Sequence, residues 1–274
     1  MRRRLVLATD LDGTLAHGSE EARREVVATV RAVPDARLIY VTGRTPGSAC
    51  QLLEATALPE PDILIADVGT SVLHGAGPER VTEIEAALDA VWPGGDAVRD
   101  RLSSFATLTQ QEVDSPRRVA YWIEPVRARR GAGAPAGADP FAARMPGDVS
   151  LDERSHAIAL GVARAAAEAV EDLGVDVLVS ANVFLDVLPR GVDKGSTLRR
   201  VLQWIGVAES DCVVAGDSLN DLALFETGLR GIVVGNCEPA LLQRVADMER
   251  VYQARGIGAA GLLEGLRHYG HVAD

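Results

Sequence analysis

The first residues in this chain with the means for covalent chemistry are Asp10-Leu11-Asp12-Gly13-Thr14-Leu15. Two carboxylates at i and i+2, followed by glycine, can converge where a chain leaves a strand and enters a turn. A second acidic group, Asp217, lies in Ala215-Gly216-Asp217-Ser218-Leu219-Asn220-Asp221, again directly after an apolar run. Acidic residues at the ends of two strands can jointly hold a hard cation that prefers oxygen ligands. Thr42 and Gly43 end another apolar run, and a threonine hydroxyl with the following amide can hydrogen-bond a phosphoryl oxygen. Lys194, between Asp193 and Gly195, is the sole lysine among 28 basic residues. A chain that otherwise uses arginine throughout, yet keeps lysine here, points to a need for a compact ammonium in place of a planar guanidinium.

Each feature also has a plainer reading. Asp, Gly and Thr favour turns, Gly-Asp-x-x-Asn-Asp and Thr42 resemble helix caps, and a lysine at a polar helix start is ordinarily a solvated charge whose loss costs little stability. The paired acidic motifs, each following an apolar strand, favour the metal reading over two independent caps.

These groups need elements to position them. Residues 4–9, 37–41 and 62–66 are short, almost wholly apolar runs, as expected of buried parallel strands. Helices are expected over 20–33 and 45–57, with Pro46 suited to a first turn. Strands alternating with helices imply right-handed crossovers and a parallel sheet covered on both faces. The rhythm changes after about His74. From there to Pro189 come helical stretches at 82–92 and 156–173 and strands at 118–124, 175–179 and 183–188. The last two strands are joined through Ser180-Ala181-Asn182 as a hairpin. Residues 129–147, rich in Gly, Ala and Pro, read as a mobile surface loop. The α/β rhythm resumes with helices at 196–205 and 219–226 and strands at 212–215 and 231–234. The expected fold class is α/β, a Rossmann-like parallel-sheet core of residues 1–74 and 190–274 with an inserted α+β cap domain, 75–189.

Asp10-Leu-Asp12-Gly-Thr-Leu, Val41-Thr42-Gly43-Arg44, Lys194-Gly195 and Gly216-Asp217-Ser218-x-Asn220-Asp221 together resemble, in order, the four motifs of the haloacid dehalogenase (HAD) superfamily. An insert placed after the third core strand resembles the type-II cap subgroup. Arg44-Thr45, Asp67-Val68-Gly69-Thr70, the stretch from Asp186 to Gly195, and residues 256–269 are most similar to the sucrose-phosphate phosphatase-like sugar phosphatases. The resemblance implies a Mg²⁺-dependent phosphomonoester hydrolase acting on a hexose, amino-sugar or disaccharide 6-phosphate through an aspartyl-phosphate. It assigns Asp10 as nucleophile and Asp12 as general acid and base. The metal set would be Asp10, Asp12 through its backbone carbonyl, Asp217 and Asp221. Phosphate would fall to Thr42, Gly43 and Lys194, with Asn220 and Asp221 orienting that lysine. Arg44 and, from the insert, Asn182 are the candidate sugar contacts. Asp12 argues against dehalogenases, which lack an acid there, and against transport ATPases, which carry threonine. A glycosyl-phosphoglycerate phosphatase, a phosphosugar mutase and a non-catalytic binding module are the alternative readings.

Bulk properties narrow the partners. With 28 Lys and Arg against 39 Asp and Glu, the net charge of −11 argues against a general nucleic-acid or anionic-membrane surface. Nothing approaches 18 uninterrupted apolar residues, so no membrane span is expected. Cys50, Cys212 and Cys237 show no metal spacing and fit a reducing compartment. The expectation is a cytoplasmic protein, monomer or homodimer, with a small phosphorylated substrate. His17, His74, His156, His268 and His271 form no ligand pattern and read as surface or loop residues, a place for His74 near the cap hinge being the lesser alternative.

Overall fold

The computed structural model describes residues 4–129 and 153–271. The chain opens with β1 (Val6–Thr9), α1 (Glu20–Ala32), β2 (Arg37–Val41), α2 (Pro46–Thr56), β3 (Ile63–Ala66) and β4 (Ser71–His74). It continues through α3 (Thr82–Asp89), α4 (Gly95–Leu102), β5 (Leu108–Gln110), β6 (Val119–Ile123), α5 (Glu124–Arg129), α6 (Glu153–Ala169), β7 (Val175–Ser180) and β8 (Phe184–Pro189). It ends with α7 (Lys194–Trp204), β9 (Cys212–Gly216), α8 (Leu222–Glu226), β10 (Arg230–Val233), α9 (Pro239–Val245), β11 (Val251–Gln253) and α10 (Gly258–His268). The Gly/Ala/Pro-rich segment expected as a loop falls, beyond Arg129, outside the described residues.

Two compact units emerge, one of residues 1–81 with 194–274, the other of residues 82–193. The divisions lie later than the sequence boundaries at 74 and 189. Residues 75–81 fold back on β4, with Val81 N–H donating to Val72 O at 2.9 Å and a bridge between Leu73 and Arg80, and so stay with the first unit. Residues 190–193 stay with the second unit, because Arg190 N–H donates to Gly174 O at 3.0 Å and Gly191 N–H to the Asp176 carboxylate at 2.7 Å.

The first unit is built on a seven-stranded sheet of order β11-β10-β9-β1-β2-β3-β4, parallel except for β4 against β3. β1 is wholly buried, as a strand covered on both faces must be. Its flanking helices begin where the sequence stops them cheaply: Ser19 caps α1, Thr45 caps α2, and Pro46 occupies the first turn of α2. Val26 and Val30 of α1, with Leu262 and Leu266 of α10, join Leu5, Leu7 and Leu38 in one core. Because strands run outward in both directions from β1, that strand marks the reversal where open α/β sheets bind ligands at their carboxyl ends.

The second unit is a four-stranded antiparallel sheet, β5-β6-β8-β7. Alternate residues Val119, Tyr121 and Ile123 of β6, with Leu185 and Val187 of β8, pack with Val98 and Leu102 of α4 and Ala159 and Ala166 of α6. The β7–β8 hairpin turns through Ala181 (φ 50°) and Asn182 (φ 54°), and Val183 N–H closes it on Ser180 O at 3.2 Å. Two successive left-handed residues match the right-handed twist of the strands they join.

Candidate active site

Strand register brings the sequence motifs to one edge of the sheet. Thr9 is level with Tyr40 on β2 and with Ala215 on β9, so Asp10, Val41 and Gly216 come next, and Thr42 and Asp217 stand one residue beyond. Asp10 N–H donates to Ala215 O at 2.9 Å, extending the ladder into the site. The chain then turns through Gly13 (φ 75°), where any side chain would be excluded: a Cβ there would lie 2.2 Å from Asp217 Oδ2. Thr14 Oγ1 donates to Asp217 Oδ1 at 3.1 Å across this contact.

Carboxylate oxygens of Asp10, Asp217 and Asp221 lie within 4.8 Å of one another, all three residues buried. Asp221 Oδ2 accepts from the amides of Asp217 and Ser218, each at 3.1 Å, which ties the second acidic loop together. The sequence-readable signal for this is Ser218 three residues before Asp221, a capping box. Asp10 Oδ1 accepts from Lys194, whereas its Oδ2 is buried with no hydrogen-bond partner among the described residues.

Lys194 is 0% exposed, which rules out the plainer reading of a solvated helix start. Its ammonium donates to Asp10 Oδ1 at 2.8 Å, Asn220 Oδ1 at 2.9 Å and Asp221 Oδ1 at 2.6 Å, so each of its three protons has an acceptor. Gly195 permits the approach, since a Cβ there would lie 2.1 Å from Ala223 O of α8. Burial alone would lower the lysine's pKa, but the charges of Asp10 and Asp221 outweigh it and hold Lys194 above the usual ammonium range. Burial, then Asp221, pushes Asp10 up to about 7 from an ordinary 3.8, against the pull of Lys194.

Arg44 does not stand open for a ligand. Its Nε and Nη2 each donate to a different oxygen of Asp12 at 2.7 Å, and Nη1 donates to Ser48 Oγ at 2.8 Å. The Asp12 carboxylate is thus held in a bidentate fork and is not one of the three that converge. Thr42 Oγ1 accepts from Arg44 N–H at 3.1 Å, which leaves its hydroxyl hydrogen to donate elsewhere. Beneath this loop, Asp67 and Val68 have φ of 52° and 60°, and Gly69 of 104°. Val68 N–H donates to Thr42 O at 3.1 Å and Asp67 N–H to Arg44 O at 2.7 Å. A β-branched residue in the left-handed region is strained and persists only where its surroundings impose it.

The structure therefore gathers Asp10, Asp217, Asp221, Asn220 and Lys194, with Thr42 at the same sheet edge. Asn182 belongs to the second unit, where its Oδ1 lies 3.1 Å from His156 Nδ1 and its Nδ2 is buried without a partner among the described residues. His74 packs edge-on against Trp204 at 5.4 Å, and His268 stacks on Tyr252 at 4.2 Å.

The family described as sucrose-6F-phosphate phosphohydrolase matches residues 3–131 and 159–270. Mannosylfructose-phosphate phosphatase of Agrobacterium fabrum is 30% identical over 272 residues, covering 97% of this chain and 96% of that protein. Glucosylglycerol-phosphate synthase of Pseudomonas anguilliseptica is 35% identical over 98% of this chain, which spans only 31% of that protein's length. The structure of sucrose-phosphatase from Synechocystis, in complex with sucrose and phosphate, superposes with a TM-score of 0.78 at 26% identity, covering 98% of this chain and 99% of that one. With four motifs gathered on the expected sheet edge and most of its length matched, the chain belongs to the sucrose-6F-phosphate phosphohydrolase family and is a phosphatase of the HAD superfamily.

Proposed function

We propose that this chain hydrolyses the phosphate monoester of a phosphorylated glycoside, with Asp10 as nucleophile. The observation that carries the reading is Asp10 itself: one carboxylate oxygen is fixed by Lys194 and the other is buried and without a partner among the described residues. Desolvated and unpaired, Oδ2 is the atom to attack phosphorus. The P–O bond to the sugar then breaks as the Asp10 Oδ2–P bond forms, splitting one hard displacement into two easier ones. Asp12 is the group to give the departing alkoxide a proton and then to take one from the water that opens the aspartyl-phosphate. Arg44 holds Asp12 in place through two hydrogen bonds. With substrate bound, Lys194 exchanges one of its three present acceptors for an equatorial oxygen and the Thr42 hydroxyl donates to another, where transition-state charge accumulates.

The acidic cluster fits a divalent metal. Its donors are all carboxylate oxygens of buried residues, as a hard cation requires. Asp10 and Asp217, with Asp221 supporting them, would hold Mg²⁺, which when bound supplies the positive charge that offsets repulsion between carboxylate and phosphate.

The substrate class follows from the named relatives, which concern sucrose phosphate, mannosylfructose phosphate and glucosylglycerol phosphate. Each joins a sugar through a glycosidic bond to a phosphorylated partner. In the second unit, Asn182, with its buried unpartnered amide nitrogen, is the sugar contact we propose. The test is phosphate release, with Mg²⁺, across a panel of these three esters, hexose 6-phosphates, amino-sugar phosphates and a glycosyl phosphoglycerate. A glycoside phosphate should give the highest kcat/KM. Preference for free hexose phosphates or the phosphoglycerate would overturn the substrate class, and no phosphate from any ester would overturn the activity.

A further inference from the structure

The loop after β10 reaches both acidic loops from behind. Asn236 Nδ2 donates to Gly13 O at 2.8 Å, and its Oδ1 accepts from Gly258 N–H, at the start of α10, also at 2.8 Å. One partner only accepts and the other only donates, so the amide has a single orientation that satisfies both. Two residues on, Glu238 N–H donates to Asp217 O at 2.7 Å, and Glu238 Oε2 accepts from Leu219 N–H at 3.0 Å. The segment from Asn236 to Glu238 thereby grips the turn that follows Asp10 and the turn that carries Asp217.

This grip falls where the site is hardest to hold together. Gly13 lies directly against the Asp217 carboxylate, and three carboxylates crowd within 4.8 Å. Before a cation binds, repulsion among these carboxylates acts to separate the two loops, against the Lys194 ammonium that bridges Asp10 to Asp221 and the Thr14 hydroxyl that donates to Asp217. The backbone of the Gly13 turn is fixed from outside by Asn236, which in turn is anchored through Gly258. Gly258 lies so close to the same loop that a Cβ there would be 2.3 Å from His17 O, and Ala259 N–H donates to that carbonyl at 2.9 Å.

We propose that Asn236 is a positioning residue that sets the spacing of the two acidic loops and so the affinity of the site for its divalent cation, with Glu238 bracing the opposite loop. The proposal rests on the metal-dependent reading above. Its test separates the Gly13 arm from the Gly258 arm. Asn236→Asp keeps an acceptor for Gly258 but sets an oxygen against the Gly13 carbonyl; Asn236→Ala removes both arms. Isothermal titration of Mg²⁺ into each protein without substrate reads the metal directly. Both variants should bind Mg²⁺ about 10–100-fold more weakly, the range seen when groups supporting metal ligands are lost. At saturating Mg²⁺, KM for p-nitrophenyl phosphate should be unchanged and kcat largely recovered. Unchanged Mg²⁺ affinity in Asn236→Asp, with a lowered Tm in Asn236→Ala, would make the residue only an anchor for α10 and overturn the proposal; so would a wild-type chain that binds no Mg²⁺. A wild type that binds Mg²⁺ but releases no phosphate would instead count against the catalytic reading, and the titration would still decide this one.

Discussion

Replacing Lys194 is the most informative single perturbation, because the side chain links catalysis to stability. Lys194→Met keeps the length and removes the charge, leaving Asp10 and Asp221 buried without their shared cation. Breaking a buried ion pair from one side costs about 3–5 kcal/mol. At about 2–4 °C per kcal/mol for a large domain, Tm should fall by about 6–20 °C. The sign with pH is fixed. Lys194 favours the ionised form of Asp10, so its loss raises that carboxyl further, and the stability defect should be larger at pH 8 than at pH 5, where protonation relieves it. Lys194→Arg keeps the charge, but a planar fork cannot meet three acceptors arranged for one ammonium. Loss of a transition-state donor is worth about 2.7–4 kcal/mol, so kcat should fall about 10²–10³-fold. The assays are thermal unfolding in metal-free buffer at both pH values and steady-state hydrolysis of p-nitrophenyl phosphate in saturating Mg²⁺. An Lys194→Met protein as stable as wild type at pH 8, or an Lys194→Arg enzyme with wild-type kcat, would refute the reasoning.

Further outcomes follow from the same geometry. Asp10→Asn should retain no more than about a hundredth of wild-type kcat, a loss above about 2.7 kcal/mol, yet keep its fold by circular dichroism. Because Asp10 is raised in the folded state to about 7, its ionisation opposes folding. Urea titrations should show metal-free wild type losing stability relative to Asp10→Asn as pH rises from about 4 through 7. Asp12→Asn leaves the nucleophile intact, so steady-state turnover should drop about 10²–10⁴-fold while rapid quench still detects phosphorylated enzyme. Chelator should abolish phosphate release and Mg²⁺ restore it. Ca²⁺ should inhibit, since it prefers a larger and looser shell than Mg²⁺; full activity in chelator would remove Asp217 from its role.

Much of the first unit was legible because each buried parallel strand is announced by a continuous apolar run, and the chemistry sits where those runs stop. β2 spans the five expected residues, and Thr45-Pro46 marks the start of α2 as caps do. The misses share one cause, which is dependence on distant partners. β4 and β11 are four and three residues long, and only pairing with β3 and β10 makes them strands. Arg44 was read as a ligand contact because its partner, Asp12, is 32 residues away. Lys194 is legible as a site residue because it is the sole lysine, but its complete burial is not, since its partners lie 184 and 27 residues off in sequence. Nothing in Asp67-Val68-Gly69 announced a valine in the left-handed region, since only the glycine carries that signal. Asn236 had no signal beyond its place after a strand.

The central place of β1 also dictates when during synthesis this site can exist. β1 leaves the ribosome long before β9, with which it makes one of its two ladders, and Thr14 meets Asp217 across 203 residues of chain. Until Cys212–Gly216 has emerged, one edge of this wholly buried strand has no native partner. Such an edge is a template for pairing with other chains. Closure over so long a separation is also slow. Between the synthesis of β1 and that of β9, nascent chains are therefore open to self-association and without a complete cation site, and chains released within that interval should be clients for chaperones and proteases.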